Sequence, residues 1–317
     1  MVVKERQIVV HISNWHTKWI IGGIFREAAA ASDLRPYWRV YPTSKNDFLN
    51  PHVLKGKISP LVGDLNIYAH QDTYFSVFAN KPERIVSSRN RVFFTHFNVG
   101  QNPSASQISS LKYCERILVQ NESMENFLIS AGISKEKIAR APGAVSRDRF
   151  HPDRAIPGQQ FVLFSGNFKY RKNPELIAQV ISVMPEVEFV IHGLNWEEFP
   201  KDLLNGIPNL KRMDFRFTEQ PKLMRMASLY VSLAVIEGGP YPVLEALASG
   251  TPVVATDTGF CAEFINDANG ILLPNPPELS QVQDAIRAGL KLKESVWSQD
   301  LLHGNWQLQD IGNLIFS

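Results

Sequence analysis

Short apolar runs alternate with amphipathic stretches along most of the chain. Runs rich in Val, Ile, Leu and aromatics predict buried strands, and they are QIVVHIS, YWRVY, LNIYA, RVFFTH, RILVQ and KIARAP in the first half and FVLFS, EFVIHG, LKRMDF, LYVSLAV, TPVVAT and GILLP in the second. Several intervening segments predict helices, among them GGIFREAAAAS, PSASQISSLKYC and ESMENFLISAG. Strands joined by helices form parallel sheets with right-handed crossovers. The pattern therefore predicts an α/β protein with doubly wound, Rossmann-like sheets.

The length of 317 residues favours two domains, because a single hydrophobic core rarely grows that large. The stretch 149–160, RFHPDRAIPGQQ, is polar and contains Pro and Gly, which is typical of an interdomain linker. We therefore predict domains over 1–152 and 153–303. Ligands of open parallel sheets bind beyond the carboxyl ends of the strands, so we expect the two sheets to face a cleft that holds the ligand.

Charge separates the two halves, although the whole chain has a formal net charge of only +2. Residues 1–152 contain 20 Lys and Arg against 12 Asp and Glu, whereas 153–317 contain 13 against 19. The basic half favours an anionic partner, with an unevenly charged surface as the simpler alternative. The basic residues are scattered and no nucleic-acid-binding motif accompanies them, so we do not expect nucleic acid as a partner.

Two cysteines, Cys114 and Cys261, provide neither a disulfide framework nor a metal-ligand cluster, which favours a reducing compartment. No segment approaches the ~20 apolar residues of a membrane span, and the start of the chain lacks the pattern of a signal peptide. We therefore expect a cytoplasmic protein, with peripheral attachment to an anionic membrane left open.

The candidate chemistry lies in IEGGPYPVLEALASGTPVV, residues 236–254, directly after the predicted strand LYVSLAV. Glu237 lies in the loop after that strand. Pro242 favours the first turn of a short helix and Gly250 its end. Glu245 then lies on the first turns of this helix, so that both acids can face the cleft.

The residue types suit a ligand with adjacent hydroxyl groups. A carboxylate such as Glu237 or Glu245 only accepts hydrogen bonds, and its two oxygens can bind the neighbouring hydroxyls of a ribose or a hexose. Gly238 and Gly239 let the backbone approach a ligand closely, and amides at a helix N-terminus attract phosphate or hydroxyl oxygens. Each acid alone has a simpler explanation, as a solvated loop acid or as a charge that complements the helix dipole.

The segment EGGPYPVLEALASGTPVVATDTG resembles the donor-site signature of the retaining glycosyltransferases with the GT-B fold, a large family that includes bacterial mannosyl- and glucosyltransferases and sucrose synthase. Residues 114–152 are similar to the end of that family's first domain. Residues 161–181 resemble the first strand, phosphate-binding loop and helix of its second domain, and FCAEFINDANGILLP follows the signature as in the family. The resemblance covers about two thirds of the chain, and it is weak over 33–90.

The resemblance assigns roles to matching residues. It implies that Glu237 accepts hydrogen bonds from the transferred sugar, that Glu245 accepts them from the ribose of the nucleotide, and that Lys172 binds the donor diphosphate. A fixed cation such as Lys172 stabilises the negative charge that develops on the leaving group. The family's first domain would bind the acceptor and its second domain the nucleotide sugar, here residues 1–152 and 153–303.

The phosphate-binding loop departs from the family at one position. The resemblance places Gly166 and Asn167 in this loop, but the family usually has arginine where this chain has Asn167. We expect Lys169 or Arg171 to supply the missing positive charge. A second departure is Pro240, which replaces a glycine of the family and removes one backbone donor.

In the first half, the resemblance matches Gly22 and Gly23 to a glycine pair at the start of a helix, where the backbone meets phosphate or sugar. It matches His96, after the predicted strand RVFFTH, to a histidine near the reacting sugar. It also implies that the tail, residues 304–317, forms a helix that returns to the first domain.

The family transfers sugars with retention and without an Asp-x-Asp metal site, and no such motif occurs in this chain. The resemblance thus implies a hexosyltransferase of carbohydrate biosynthesis with a nucleotide-diphosphate sugar as substrate and no metal or other cofactor. The acceptor would be a glycan, a lipid-linked molecule or a small molecule. Two alternatives stay open: a nucleotide-sugar epimerase on the same fold, and a non-catalytic module that binds a sugar nucleotide.

Overall fold

The computed structural model describes residues 7–13, 20–41, 64–95, 102–153, 161–198, 204–296, 300–302 and 308–316. Its internal contacts divide the chain into two compact units. Unit 1 comprises Met1–Ala144 with Trp306–Ser317, and unit 2 comprises Val145–Asn305. Each unit is built on its own parallel sheet.

Unit 1 contains six strands: β1 (Ile8–Ser13), β2 (Tyr37–Tyr41), β3 (Leu65–Tyr68), β4 (Arg89–Phe94), β5 (Arg116–Val119) and β6 (Ile138–Arg140). They pair in parallel in the order β2-β1-β3-β4-β5-β6. Its first helices are α1 (Ile20–Ala31), α2 (Gln71–Asn80), α3 (Pro82–Val86), α4 (Ala105–Ser110) and α5 (Glu122–Ser130). The central strands are buried on both faces, and they bury polar side chains such as His11, Asn66 and Arg91 among the apolar ones.

Unit 2 contains six more strands: β7 (Phe161–Ser165), β8 (Glu188–His192), β9 (Leu210–Met213), β10 (Leu229–Ser232), β11 (Val253–Thr256) and β12 (Gly270–Leu273). Their order is β9-β8-β7-β10-β11-β12, again parallel throughout. Its helices are α6 (Pro174–Val183), α7 (Gln220–Met226), α8 (Tyr241–Ala248), α9 (Cys261–Phe264) and α10 (Leu279–Val296). This is the strand order of the nucleotide-binding Rossmann fold.

The final helix, α11 (Leu308–Phe316), packs against α1 in unit 1. Gly312 permits this contact, because a side chain there would overlap Ser32 and would lie 2.7 Å from the Ala28 carbonyl oxygen. The buried guanidinium of Arg91 on β4 donates to the Ile315 carbonyl oxygen at 3.0 Å. A cation at this end of a helix satisfies a carbonyl that has no partner within the helix.

The predicted α/β class, with its two doubly wound parallel sheets, is confirmed. The strand predicted over LYVSLAV is too long: β10 ends at Ser232, and Glu237 follows in an irregular loop. Helices α2 and α3 were not identified from the sequence. The predicted domain boundary, after residue 152, differs from the division after Ala144 because Arg149 bonds within unit 2, to the Phe217 carbonyl oxygen at 3.0 Å.

Candidate functional site

The strand order of unit 2 reverses between β7 and β10, so the loops after these two strands run to opposite faces of the sheet. Open α/β sheets bind their ligands at such a switch point. A pocket lies at this edge, and its lining includes Ser165, Gly166, Lys172, Trp196, Tyr230 and Ser232. Of the candidate residues of unit 2, Gly166 and Lys172 line this pocket.

A basic 3-10 turn, Tyr170–Lys172, follows β7 at this edge. It ends at Asn173, whose φ of 59° is left-handed backbone that asparagine adopts more readily than most residues. Pro174 then begins α6, where its fixed φ suits the first helical turn and its missing N–H costs nothing. The sequence KNP thus stops the turn and fixes the direction of its side chains.

Arg171 and Lys172 meet Glu237 beside the pocket. The turn is held there by two hydrogen bonds, from Val235 N–H to the Arg171 carbonyl at 2.8 Å and from Arg171 Nη1 to the Ile236 carbonyl at 2.9 Å. Arg171 Nη1 also lies 2.6 Å from Glu237 Oε1, and the Lys172 ammonium pairs with the same oxygen. The three side chains carry a net charge of +1, which suits an anionic ligand.

The two cations control the ionisation of Glu237, whose side chain is 7% exposed. Burial alone would raise the pKa of Glu237, because the carboxylate loses its hydration. The charges and hydrogen bonds of Lys172 and Arg171 outweigh burial and lower this pKa to about 2. Glu237 is therefore an acceptor of hydrogen bonds near neutral pH and is poorly matched to general acid or base catalysis.

The loop after β7 approaches its neighbours closely at Gly166. Its φ of 147° favours glycine, and Trp196 Nε1 donates to its carbonyl oxygen at 2.9 Å. Gly193 lies so near that a methyl group in its place would overlap the same carbonyl oxygen. Lys172 packs beside Gly166, since its Nζ would lie 3.7 Å from an added Cβ. Gly193 thus lets the loops after β7 and β8 approach each other, and Lys172 lies beside them at the pocket.

Glu245 lies on α8, a helix whose eight residues are all buried. Pro242 lies in its first turn, and the left-handed Gly250, with a φ of 74°, follows its end, as the sequence predicts. Gln220 Nε2 donates to Glu245 Oε2 at 2.9 Å. A buried carboxylate requires such partners, because an uncompensated charge in the interior is very unfavourable.

Gln220 connects Glu245 to two further polar side chains. Its Oε1 accepts from Ser165 Oγ at 3.0 Å and lies 2.7 Å from His192 Nδ1. His192 Nε2 accepts from the Arg216 backbone N–H at 3.0 Å. The chain of bonds begins at the carboxyl ends of β7 and β8 and ends at α8.

Tyr230 is a buried residue of the switch point whose ionisation both acids oppose. Its side chain is buried on β10, and its hydroxyl lies 3.4 Å from the Ser165 carbonyl oxygen. Burial raises the pKa of Tyr230 well above its usual value, and the negative charges of Glu237 and Glu245 raise it further. Both charges therefore act on one phenol at the switch point.

The first amides of α8 differ from the expectation that they are available to a ligand. Tyr241 N–H donates to the Gly239 carbonyl at 2.9 Å, Val243 N–H donates to the Pro240 carbonyl at 2.8 Å, and Pro242 has no N–H. Backbone donors of this turn are thus bonded locally. The site therefore depends on the side chains around the pocket more than on this helix terminus.

The remaining donor-site candidates of unit 2 have distinct surroundings. Asn167 Oδ1 accepts from Leu194 N–H at 3.0 Å, so this side chain braces a neighbouring loop. Lys169 is exposed at the start of the basic turn. Gly238 packs against Gly259, where an added Cβ would lie 2.8 Å from the Gly238 carbonyl oxygen. Of the two proposed replacements for the family's arginine, Arg171 is the one paired with Glu237.

In unit 1, Gly22 and Gly23 are the third and fourth residues of α1, and nothing lies within 4 Å of a Cβ added to Gly23. His96 falls outside the described residues. His11 is buried, with Nδ1 2.6 Å from the Tyr41 hydroxyl and Nε2 2.9 Å from Asn66 Oδ1. Burial lowers its pKa to about 4, so it stays neutral as part of the unit 1 core.

Gln220, His192 and Tyr230 were not predicted from the sequence as residues of the site. His192 and Ser165 carried a usable signal, because each is a polar residue that directly follows an apolar run, FVI or FVLF, at the carboxyl end of a strand. Gln220 carried none, since a glutamine before a proline at the start of a helix is ordinary. Its importance comes from contacts with residues at least 25 positions away in the chain.

Among the residues that the structure describes, no three acidic, histidine or cysteine side chains group together as metal ligands would. The described helices include none that is both long and apolar enough to span a membrane.

Comparison with known proteins agrees with this geometry. Residues 146–297 match the family model "Glycosyl transferases group 1". An alpha-galactosylglucosyldiacylglycerol synthase of Streptococcus pneumoniae is 24% identical over 166 residues, which are 45% of this chain and 44% of that protein. The O-antigen biosynthesis glycosyltransferase WbnH of Escherichia coli is 25% identical over 181 residues, 54% of this chain and 48% of that protein. The chain thus spans about half the length of the curated relatives it matches.

Solved structures match nearly the whole chain in fold. Anabaena Alr3699/HepE, in complex with UDP-glucose, aligns with a TM-score of 0.72 and 14% identity over 97% of this chain and 98% of that one. Sucrose-phosphate synthase from Thermosynechococcus elongatus aligns with a TM-score of 0.72 and 15% identity over 98% of this chain and 97% of that one. The two sheets of this chain have the GT-B fold, and the stretch that matches the family model, residues 146–297, contains the whole sheet of unit 2.

Proposed function

We propose that this protein is a retaining glycosyltransferase that moves a sugar from a nucleotide-diphosphate sugar to an acceptor without a metal ion. The observation that carries the proposal is the meeting of Glu237 with Lys172 and Arg171 at the switch point of unit 2. Because this cluster has a net charge of +1, it attracts a diphosphate while it keeps a carboxylate for sugar hydroxyls. The family match and the UDP-glucose complex of HepE support the same donor class.

Each residue of the cluster has a separate task in the proposed reaction. Lys172 stabilises the negative charge that grows on the diphosphate as the bond to the sugar breaks. Glu237, ionised because its pKa is about 2, accepts hydrogen bonds from the sugar and does not exchange protons near neutral pH. The departing phosphate oxygen takes the proton of the attacking acceptor hydroxyl on the same face of the sugar. Glu245 binds the ribose.

The acceptor in this proposal is anionic or lipid-linked. The net charge of +8 on residues 1–152 supports it, because a basic surface attracts anionic molecules and membranes. The Streptococcus relative is named for the synthesis of a glycosylated diacylglycerol and WbnH for O-antigen biosynthesis, and these names agree with an acceptor of this kind. A cytoplasmic location with peripheral membrane binding is part of the proposal. Flotation with vesicles that contain or lack an anionic lipid tests it, and binding to neutral vesicles alone would contradict it.

The transfer reaction is tested with UDP-, GDP- and ADP-sugars and a set of hydroxyl acceptors. We expect Lys172→Ala and Glu237→Gln each to lower kcat/KM by roughly 10²–10³-fold, because each removes charge at the reacting centre. Lys222→Ala is the matched control, since Lys222 is an exposed lysine of unit 2 outside the pocket. NMR of the product should show the anomeric configuration of the donor.

Other outcomes would overturn the proposal in recognisable ways. An epimerase changes the sugar of the donor when no acceptor is present. A binding module gives a thermal shift with a nucleotide sugar but no product, and Glu237→Gln then affects binding alone. Product of inverted configuration would exclude the retaining reaction.

A further inference from the structure

We propose that Gln220 is a positioning residue that holds Glu245 in the orientation needed to select a ribonucleotide over a 2′-deoxyribonucleotide. This inference rests on the proposed function, in which Glu245 binds the ribose of the donor. It adds a residue that no sequence signal marks and a discrimination that the donor site should perform. Its basis is the set of buried hydrogen bonds from His192 and Ser165 to Glu245.

The surroundings of Gln220 leave its amide one orientation. Ser165 Oγ donates to Gln220 Oε1 at 3.0 Å, and His192 Nδ1 lies 2.7 Å from the same oxygen. A carbonyl oxygen accepts both bonds, whereas an NH₂ group there would face the imidazole donor. The NH₂ group must therefore point at Glu245, to which it donates at 2.9 Å.

The backbone fixes the tautomer of His192 that this arrangement needs. Because Arg216 N–H donates to His192 Nε2 at 3.0 Å, the proton of the neutral ring resides on Nδ1 and is donated to Gln220. Burial lowers the pKa of His192, which favours this neutral form. The Arg216 amide thus determines that His192 donates to Gln220 and that Gln220 in turn donates to Glu245.

The series also joins elements that are far apart in the chain. Ser165 and His192 end β7 and β8, Gln220 begins α7, and Glu245 lies in the middle of α8. Gln220 is 2% exposed and Glu245 is 8% exposed, so water competes little for these bonds. One oxygen of Glu245 is consequently held by the sheet, and the plane of the carboxylate is restricted.

A carboxylate whose orientation is fixed can distinguish a ribose from a 2′-deoxyribose. The 2′ and 3′ hydroxyls of ribose are adjacent donors, and a carboxylate accepts from both only in a narrow range of orientations. A 2′-deoxyribose offers one of the two. Losing a hydrogen bond to a charged acceptor weakens binding about 10-fold or more, provided that the acceptor cannot turn to another partner.

The experiment measures Kd for UDP, GDP and ADP and for their 2′-deoxy counterparts by calorimetry, and it continues with the pair that binds most tightly. In the wild type we expect the ribonucleotide to bind at least ~10-fold more tightly. Glu245→Ala should abolish the preference. Gln220→Met, which keeps the side-chain length but removes the amide, should reduce it to roughly 3-fold or less.

A double-mutant cycle separates positioning from general damage to the fold. If Gln220 acts through Glu245, Gln220→Met changes neither affinity in the Glu245→Ala background. Asn209→Leu is the matched control, because Asn209 is another buried amide of unit 2, bonded to the Met184 and Val187 carbonyls at 2.9 and 2.8 Å. It should lower Tm and leave the preference intact. Should Gln220→Met fail to fold, Gln220→Asn keeps an amide but shortens the side chain by one methylene, so that it no longer reaches Glu245, and the preference should again fall.

The results distinguish this inference from the proposed function. If Glu245→Ala loses the preference but Gln220→Met keeps it, the positioning role is wrong and the ribose contact of Glu245 stands. If Gln220→Met weakens both nucleotides equally in both backgrounds, its role is structural and the inference is overturned. If no nucleotide binds, or Glu245→Ala binds as the wild type does, both the inference and the proposed ribose contact are wrong.

Discussion

Glu237 is a buried acid whose charge depends on two neighbouring cations. Arg171 and Lys172 follow β7 and Glu237 follows β10, so the cluster forms only when the loops after these strands meet. Its three charges are chemically unequal: Arg171 is also bonded to the backbone at Ile236, whereas Lys172 lies along Gly166 at the pocket. We infer that both cations hold Glu237 and that Lys172, which lines the pocket, can also share its charge with a ligand.

The lowered pKa of Glu237 predicts a loss of stability in acid. The unfolded chain takes up a proton near the ordinary value of 4.5, but the folded protein does so only near about 2. Stability from this group is therefore complete above pH 4.5 and is lost as the pH falls towards 2. We expect the free energy of unfolding of the wild type, relative to Glu237→Gln, to fall by about 3 kcal/mol across this window.

Urea unfolding of both proteins from pH 6 to pH 2 measures this difference. Glu186→Gln is the control, since Glu186 is an exposed residue of unit 2 whose Oε1 lies as far as 3.5 Å from its partner, Arg287 Nη2. An exposed pair of this kind contributes ~0.5 kcal/mol or less. Parallel pH profiles for the wild type and Glu237→Gln would show that the ion pairs do not stabilise the carboxylate.

At the scale of elements, the alternation of apolar and amphipathic segments predicted the strands, because each strand is a local run of the sequence. The strands were recovered because a parallel sheet buries both faces of each strand, which leaves a continuous apolar run such as FVLFS. The end of β10 was misjudged because LAV, after Ser232, is as apolar as the strand but packs as irregular chain. Glu237 and Lys172 were predicted from a sequence motif. Gln220 could not be predicted, because its role comes from contacts between elements that are distant in the sequence.

Replacing glycine by alanine should have opposite effects on stability at Gly193 and at Gly23. Gly193→Ala should destabilise by ~2–3 kcal/mol, because the methyl group overlaps the Gly166 carbonyl oxygen and the backbone on both sides is held by the sheet. Gly23→Ala should stabilise by up to ~1 kcal/mol, because alanine favours the helix and the space around Gly23 is open. Urea unfolding of the two variants measures both values.

The same pair tests the role that the sequence assigned to Gly23. If the glycine pair of α1 serves the donor, Gly23→Ala gains stability and loses affinity for the nucleotide sugar. A variant that is more stable and binds as the wild type does would remove Gly23 from the donor site.

At the scale of the whole molecule, unit 1 is built from two separated parts of the chain. Its sheet comes from residues before Ala144, and α11 arrives after the whole of unit 2. Helix α11 packs against α1 near Ala28 and Ser32 and accepts the Arg91 bond at its end. A segment far from the site in sequence therefore completes the core of unit 1.

Gly312→Ala tests how much unit 1 depends on this contact. In an isolated helix, alanine is more stable than glycine by up to ~1 kcal/mol. At position 312, however, the added methyl group would clash with the Ala28 carbonyl oxygen and with Ser32. We expect crowding to win, because overpacked contacts typically cost ~1–3 kcal/mol. Amide hydrogen exchange should then quicken in α1 and α11 and stay unchanged in α8 of unit 2. Asn313→Ala, on the exposed side of α11, gains helix propensity without the crowding, loses an exposed bond from Gln309, and should not quicken exchange in α1. Equal exchange in both variants would mean that α11 is not a part of the unit 1 core.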